Sequence, residues 1–202
     1  MAEKLKLKAG AKISSALPIY EGYEIGENLI TANVGIDKVE RVFQHFIAMH
    51  EEPIFFILEL PANIDGEMET APGIVKTLHK DIYYIDGCSQ EEGLTILIRV
   101  GDLLYNDGIS SFGFGCHESS DEIMFGKYNV LTIYSQNIEK YNDFFDAHEI
   151  KETTDLKTAW STFTKETPGV SERYEVNGRS VFDIPKQFED WGMYLAEQRE
   201  ED

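Results

Sequence analysis

The run from residue 54 to residue 60, Ile-Phe-Phe-Ile-Leu-Glu-Leu, closed on either side by Pro53 and Pro61, constrains this chain more than any other stretch. Successive side chains on a strand point to opposite faces, so apolar residues at neighbouring positions call for cover on both sides of a sheet. A central strand is expected here. The segment before it reads as a helix: Asp37 and Glu40 have the spacing of a capping box, and Val39, Val42, Phe43, Phe46 and Ile47 form one apolar stripe. That stripe must be buried against a sheet or another helix, which makes the two segments a helix-then-strand unit.

The remaining elements are read from similar signals. Residues 28–34 read as a strand ended by Gly35, and residues 82–85 as a short strand leaving through Asp86-Gly87 into Cys88. Ser89 and Glu92 form a second capping box, ahead of a largely buried helix that stops at Asn106-Asp107-Gly108, with a glycine suited to a left-handed terminal residue. Residues 111–117 are a strand, and residues 122–134 a long apolar strand in which Gly126 marks a bulge in preference to a tight turn dividing a hairpin. Ser135 and Asp155 are placed as caps of further helices presenting Ile138, Tyr141 and Phe145, and Leu156, Ala159, Trp160 and Phe163. Asn177-Gly178 carries the strongest hairpin signal, and a final helix is expected from Pro185, burying Phe188, Trp191 and Leu195. Strands and helices are interspersed without strict alternation. The fold class is therefore α+β, a single domain with a mixed or antiparallel sheet flanked by helices over residues 21–202, preceded by a Lys-rich arm at residues 1–20 that pairs at an edge or stays mobile.

Charge narrows the choice of partner. The 202 residues carry 37 acidic and 18 basic side chains, a formal charge of −19. Residues 1–12 run against that trend with four lysines and Glu3, leaving 14 basic and 36 acidic residues and a charge of −22 on the rest. Such a field repels the phosphate backbone of nucleic acids and anionic lipid, and it favours a basic protein partner. The plainer consequence of net charge is solubility alone. The two cysteines form no disulfide framework, and the run 54–58 cannot span a bilayer, so a cytoplasmic protein with no membrane segment and no cofactor is expected.

Chemistry-bearing candidates are few. Cys88 lies between a strand and a helix N-terminus, where the helix dipole favours thiolate, but Asp86, Glu91 and Glu92 oppose it and no base is identifiable. A buried structural thiol is the more usual fate of such a residue. Cys116 and His117 point to opposite faces of a strand, and with Glu118 and Asp121 they match no standard metal spacing. His45 and His50 are five apart on a helix, His79 and His148 stand alone, and Gly113-Phe114-Gly115 lacks the third glycine of a phosphate loop. What remains is acidic loop. Asp65, Glu67 and Glu69 lie in one, and Glu118, Asp121 and Glu122 in the turn after the glycine-bearing strand; these six are the expected partner-binding residues. The reading these features favour is an acidic, non-enzymatic binding protein that occludes a basic partner, in the manner of an inhibitor, antitoxin or immunity protein against a toxin or nuclease. The alternatives are a small cysteine-dependent hydrolase or transferase using Cys88, and an acidic structural or oligomeric module.

Overall fold

The structure is a computed structural model that describes residues 3–14, 18–62, 69–71, 74–75 and 79–200. In chain order its elements are β1 (Ala11–Ile13), β2 (Gly22–Ile25), β3 (Leu29–Asn33), α1 (Ile36–Ala48), β4 (Ile54–Pro61), β5 (Glu69–Ala71), β6 (Ile74–Val75), β7 (His79–Cys88), α2 (Gln90–Asn106), β8 (Ser111–Cys116), β9 (Asp121–Phe125), β10 (Val130–Tyr134), β11 (Gly169–Ser171), α3 (Ile184–Gln187) and β12 (Tyr194–Glu200), with short 3-10 turns between the later ones. Eight strands make one antiparallel sheet in the order β12-β7-β4-β8-β9-β10-β3-β2, and β1 pairs with β11, and β5 with β6, in two-stranded ribbons. The architecture is α+β with an antiparallel sheet.

The apolar run between the two prolines is the centre of that sheet, as β4, hydrogen-bonded to β7 on one side and β8 on the other. Its Phe56 and Leu58 face the helices and are fully buried, while Phe55 and Ile57 face the other side and are buried in a second cluster with Ile82. The α1 stripe lies on the first face, where Phe43 stacks on Phe112 of β8 at 4.6 Å between ring centroids. The glycines of β8 are a packing device: a Cβ on Gly115 would stand 2.2 Å from the Phe55 ring, and one on Gly113 2.1 Å from the Ile123 carbonyl oxygen.

Several local expectations are corrected by tertiary contacts. The α1 capping box is absent, because the Asp37 carboxylate is taken by Lys6 of the N-terminal arm, and Gly35 is the N-cap. The predicted bulge at Gly126 is a hairpin: β9 and β10 are joined through Lys127–Asn129, where Tyr128 and Asn129 take positive φ values of 56° and 63°. The α2 helix ends at Asp107 in extended conformation, and its carboxylate accepts the amides of Ile109 and Ser110, so no left-handed glycine is needed. The segments after Ser135 and Asp155 form 3-10 turns. Asn177-Gly178 does turn with positive φ, yet it closes only the single bridge between Val176 and Arg179. The expected final helix stops after one turn at Gln187, and the chain then runs into β12, an edge strand on which Leu195 is 51% exposed.

The second capping box is present in full. Ser89 Oγ accepts the Glu92 amide at 3.1 Å and Glu92 accepts the Ser89 amide at 2.8 Å. Replacing Ser89 with alanine is expected to lower stability by about 1 kcal/mol, read as a shift in urea midpoint without a change in slope.

Candidate functional site

The antiparallel order brings one set of connections to a single end of the sheet: the β2–β3 turn, the segment between α1 and β4, the step from β7 into α2, the β8–β9 turn and the chain leaving β10. These connections are acidic. Glu27 sits in the first, Glu51 and Glu52 in the second, Asp86, Glu91 and Glu92 around the third and Glu118 in the fourth, all of them exposed. The first four connections contain no lysine or arginine, and the chain leaving β10 brings in Lys140, whose amine meets the buried Asp121 carboxylate. The lysines of the arm gather toward the opposite end, where Lys6 pairs with Asp37 and the Ile36 amide donates to the Lys6 carbonyl. The lysines of the arm therefore lie away from these exposed acids.

Large side chains stand among the acids. Leu29 and Tyr134, cross-strand partners at the ends of β3 and β10, are each 44% exposed. Tyr194 at the start of β12 donates its hydroxyl to Asp86 at 2.6 Å. The exposed His117 ring stacks on Phe55 at 4.5 Å, with Nε2 3.3 Å from the same Asp86. Asp86 therefore fixes two rings at the rim. Glu122 is half-buried on the sheet face beside Tyr134, and burial together with the nearby Glu59 carboxylate raises its pKa against the opposing pull of Arg199.

Of the six residues singled out from the sequence, Glu118 and Glu122 are placed at this end. Asp121 is corrected: it is buried and therefore not a surface residue. Its carboxylate meets Nζ of Lys140, and the same oxygen lies 3.0 Å from His50 Nε2. The Tyr141 hydroxyl lies 3.2 Å from that nitrogen, while His50 Nδ1 donates to the Phe46 carbonyl at 2.7 Å. Burial pushes the Asp121 carboxyl up, but hydrogen bonds from Lys140, Ser135, His50 and Ser119 outweigh it and hold the group at about 2. The network ties the end of α1 to β9 and to the 3-10 turn at residues 138–141. Asp65 and Glu67 lie outside the described residues, and Glu69 opens β5.

Cys88 ends β7 as a buried thiol 3.6 Å from the Ile85 carbonyl, and burial, with Glu92 and Asp86, pushes it up to about 11. The helix N-terminus that would favour a thiolate is already occupied by carboxylates of the chain itself, Glu92 on the Ser89 amide and Glu52 on the Gln90 amide at 2.7 Å. Cys116 is buried as well, its thiol 3.6 Å from the Glu51 carbonyl. Among the described residues no group of three or more His, Cys, Asp or Glu side chains is arranged to hold a metal ion, and no helix is long and apolar enough to cross a membrane.

Sequence reasoning missed Glu27, Glu51, Glu52 and Asp86 as neighbours of Glu118. They lie at or between the ends of separate elements, and only the strand order assembles them. Comparison of the chain with models of protein families, with curated proteins and with solved structures found no match.

Proposed function

We propose that this chain is an acidic, non-enzymatic binding protein of the cytoplasm whose acidic sheet end docks onto a basic protein and covers its active surface, as an inhibitor, antitoxin or immunity protein covers a cationic toxin or nuclease. The observation that carries the reading is the gathering of exposed Glu27, Glu51, Glu52, Asp86, Glu91, Glu92 and Glu118 at one end of the sheet, where Lys140 is taken up by the buried Asp121. Carboxylates so arranged offer a nuclease the charge pattern of its own phosphate substrate. The exposed Leu29, Tyr134 and Tyr194 supply apolar area at the same rim, and interfaces draw most of their energy from such anchors while charges set the rate of encounter. The buried Cys88 thiol, raised to about 11, supports a binding role over a cysteine-dependent transfer reaction.

The test is retention of basic proteins from the source cell on the immobilised chain at low and high salt, with identification of what is held. A partner retained at low salt, lost at high salt and positively charged supports the reading; retention of nothing basic removes its motivation. Replacing Glu91 and Glu118 together with lysine is expected to slow association with that partner by about tenfold at low ionic strength, with little change in dissociation. Association rates measured by surface plasmon resonance check this, and equal rates for the variant would place the docking face elsewhere.

A further inference from the structure

Lys8 is the side chain in this fold whose position is hardest to reconcile with its chemistry. It is 1% exposed, and its Nζ is buried with no hydrogen-bond partner among the described residues. The amine lies over the Phe125 ring, 4.5 Å from its centroid. A buried ammonium without a partner is strongly disfavoured, and the usual response is loss of the proton.

Everything around Lys8 is built to dock residues 3–13 against the body. The Asn129 carboxamide accepts the Lys8 backbone amide at 2.9 Å and donates to the carbonyls of Lys6 at 3.2 Å and Val34 at 2.9 Å. The Leu5 amide donates to the Ile19 carbonyl and the Gly10 amide to the Asn106 carbonyl, while Ala11 pairs with Ser171 of β11. The arm also buries Leu5 and Ala11 against Ile19, Tyr128 and Ala159, its Lys6 and Gly10 carbonyls accept the Ile36 and Glu172 amides, and exposed ion pairs join Lys6 to Asp37 and Lys12 to Glu172. The charged groups that act on Lys8 are Asp107 at the end of α2, which favours the ammonium, and Lys127 in the β9–β10 turn, which opposes it. Asp107 is already engaged, accepting the amides of Ile109, Ser110 and Tyr174.

We infer that residues 3–13 form a detachable basic arm latched by the neutral amine of Lys8: docked while that amine carries no proton, and released as it takes one and returns to water. Burial lowers the docked amine to about 7, whereas a solvated lysine titrates near 10.4. Opening therefore takes up a proton across the interval between those values. It grows as pH falls toward 7 and levels off below, where the docked amine is protonated as well. Release would present Lys4, Lys6, Lys8 and Lys12 together on an otherwise acidic molecule.

Hydrogen exchange at the Leu5 and Gly10 amides, corrected for intrinsic exchange rates, reads the opening. Between about pH 8 and pH 10 the opening constant should fall by about tenfold per pH unit in the wild type. In Lys8→Met it should be lower than wild type at pH 8 and independent of pH. In Lys8→Arg, whose guanidinium keeps its charge, it should be raised and equally independent of pH. A wild-type opening constant that does not change with pH, or a methionine variant with the wild-type slope, overturns the inference. Should Lys8→Arg fail to fold, the methionine variant decides the matter alone, since it removes only the ionisable group from a chain of similar shape.

Discussion

Replacing Lys8 with methionine should stabilise the protein at pH 7 by about 2–4 kcal/mol, an unusual outcome for a substitution at a buried position. Methionine keeps a flexible unbranched chain over Phe125 and leaves no orphaned amine. The pH dependence identifies the cause. The folded-state amine titrates near 7 and the unfolded one near 10.4, so between those values the unfolded chain holds a proton that the folded chain lacks. Wild-type stability should therefore fall as pH drops from about 10 to about 7 and lose nothing more to this group below that. The advantage of the variant should be largest at neutral pH and shrink toward pH 10. Urea unfolding of both proteins at pH 7 and at about pH 9.5 measures the gap. A variant no more stable than wild type at pH 7 would show that the amine finds a partner in solution.

The opposite sign is expected at Asp121, where a buried charge has partners. Truncation to alanine should cost about 3–5 kcal/mol, because it leaves His50 and the Nζ of Lys140 without their shared carboxylate. Asn at the same position keeps the shape and one acceptor and should cost less. Here the folded-state carboxyl is held at about 2, below the unfolded value near 3.9. The stabilisation it contributes is complete above about pH 4 and is lost as pH falls toward 2. Acid unfolding of Asp121→Asn should accordingly lack part of the wild-type slope in that window. A loss under about 1 kcal/mol for Asp121→Ala would mean that water replaces the carboxylate at small cost.

These two residues also mark where the sequence is and is not legible. Signals that act within one turn of chain are legible: the Val39–Ile47 stripe, the Ser89–Glu92 box, and the strand between Pro53 and Pro61. What depends on distant segments is not. Lysines at the N-terminus look solvated, and nothing in residues 1–12 announces that Asn129 and Phe125 wait to receive Lys8. Asp121 looks like a turn acid because its partners lie 71 and 19 residues away. The hairpin through Lys127–Asn129 ranks below a bulge in the sequence because Tyr128 and Asn129, rather than a glycine, adopt the left-handed conformation. The terminal segment misleads through its spacing: Phe188 is buried, but Leu195 belongs to a strand and not to the same helix. At the acidic end Glu118 and Glu122 are found locally, whereas their neighbours come from connections that only an antiparallel order can bring together.

The strand β12 closes the sheet on one side with all seven residues exposed, and among the described strands none lies beyond it. A bare backbone edge of that length is a template for a second molecule, and proteins that present one tend to polymerise unless the edge is blunted. Here the pairing with β7 slips between Leu195 and Glu197, which bends the strand out of a flat register, and Glu197, Arg199 and Glu200 charge its far half. Two copies approaching edge to edge would meet kinked backbones on bodies that each carry a charge of −19. The acidity on which the proposed docking rests therefore also opposes edge-to-edge growth of the molecule on itself.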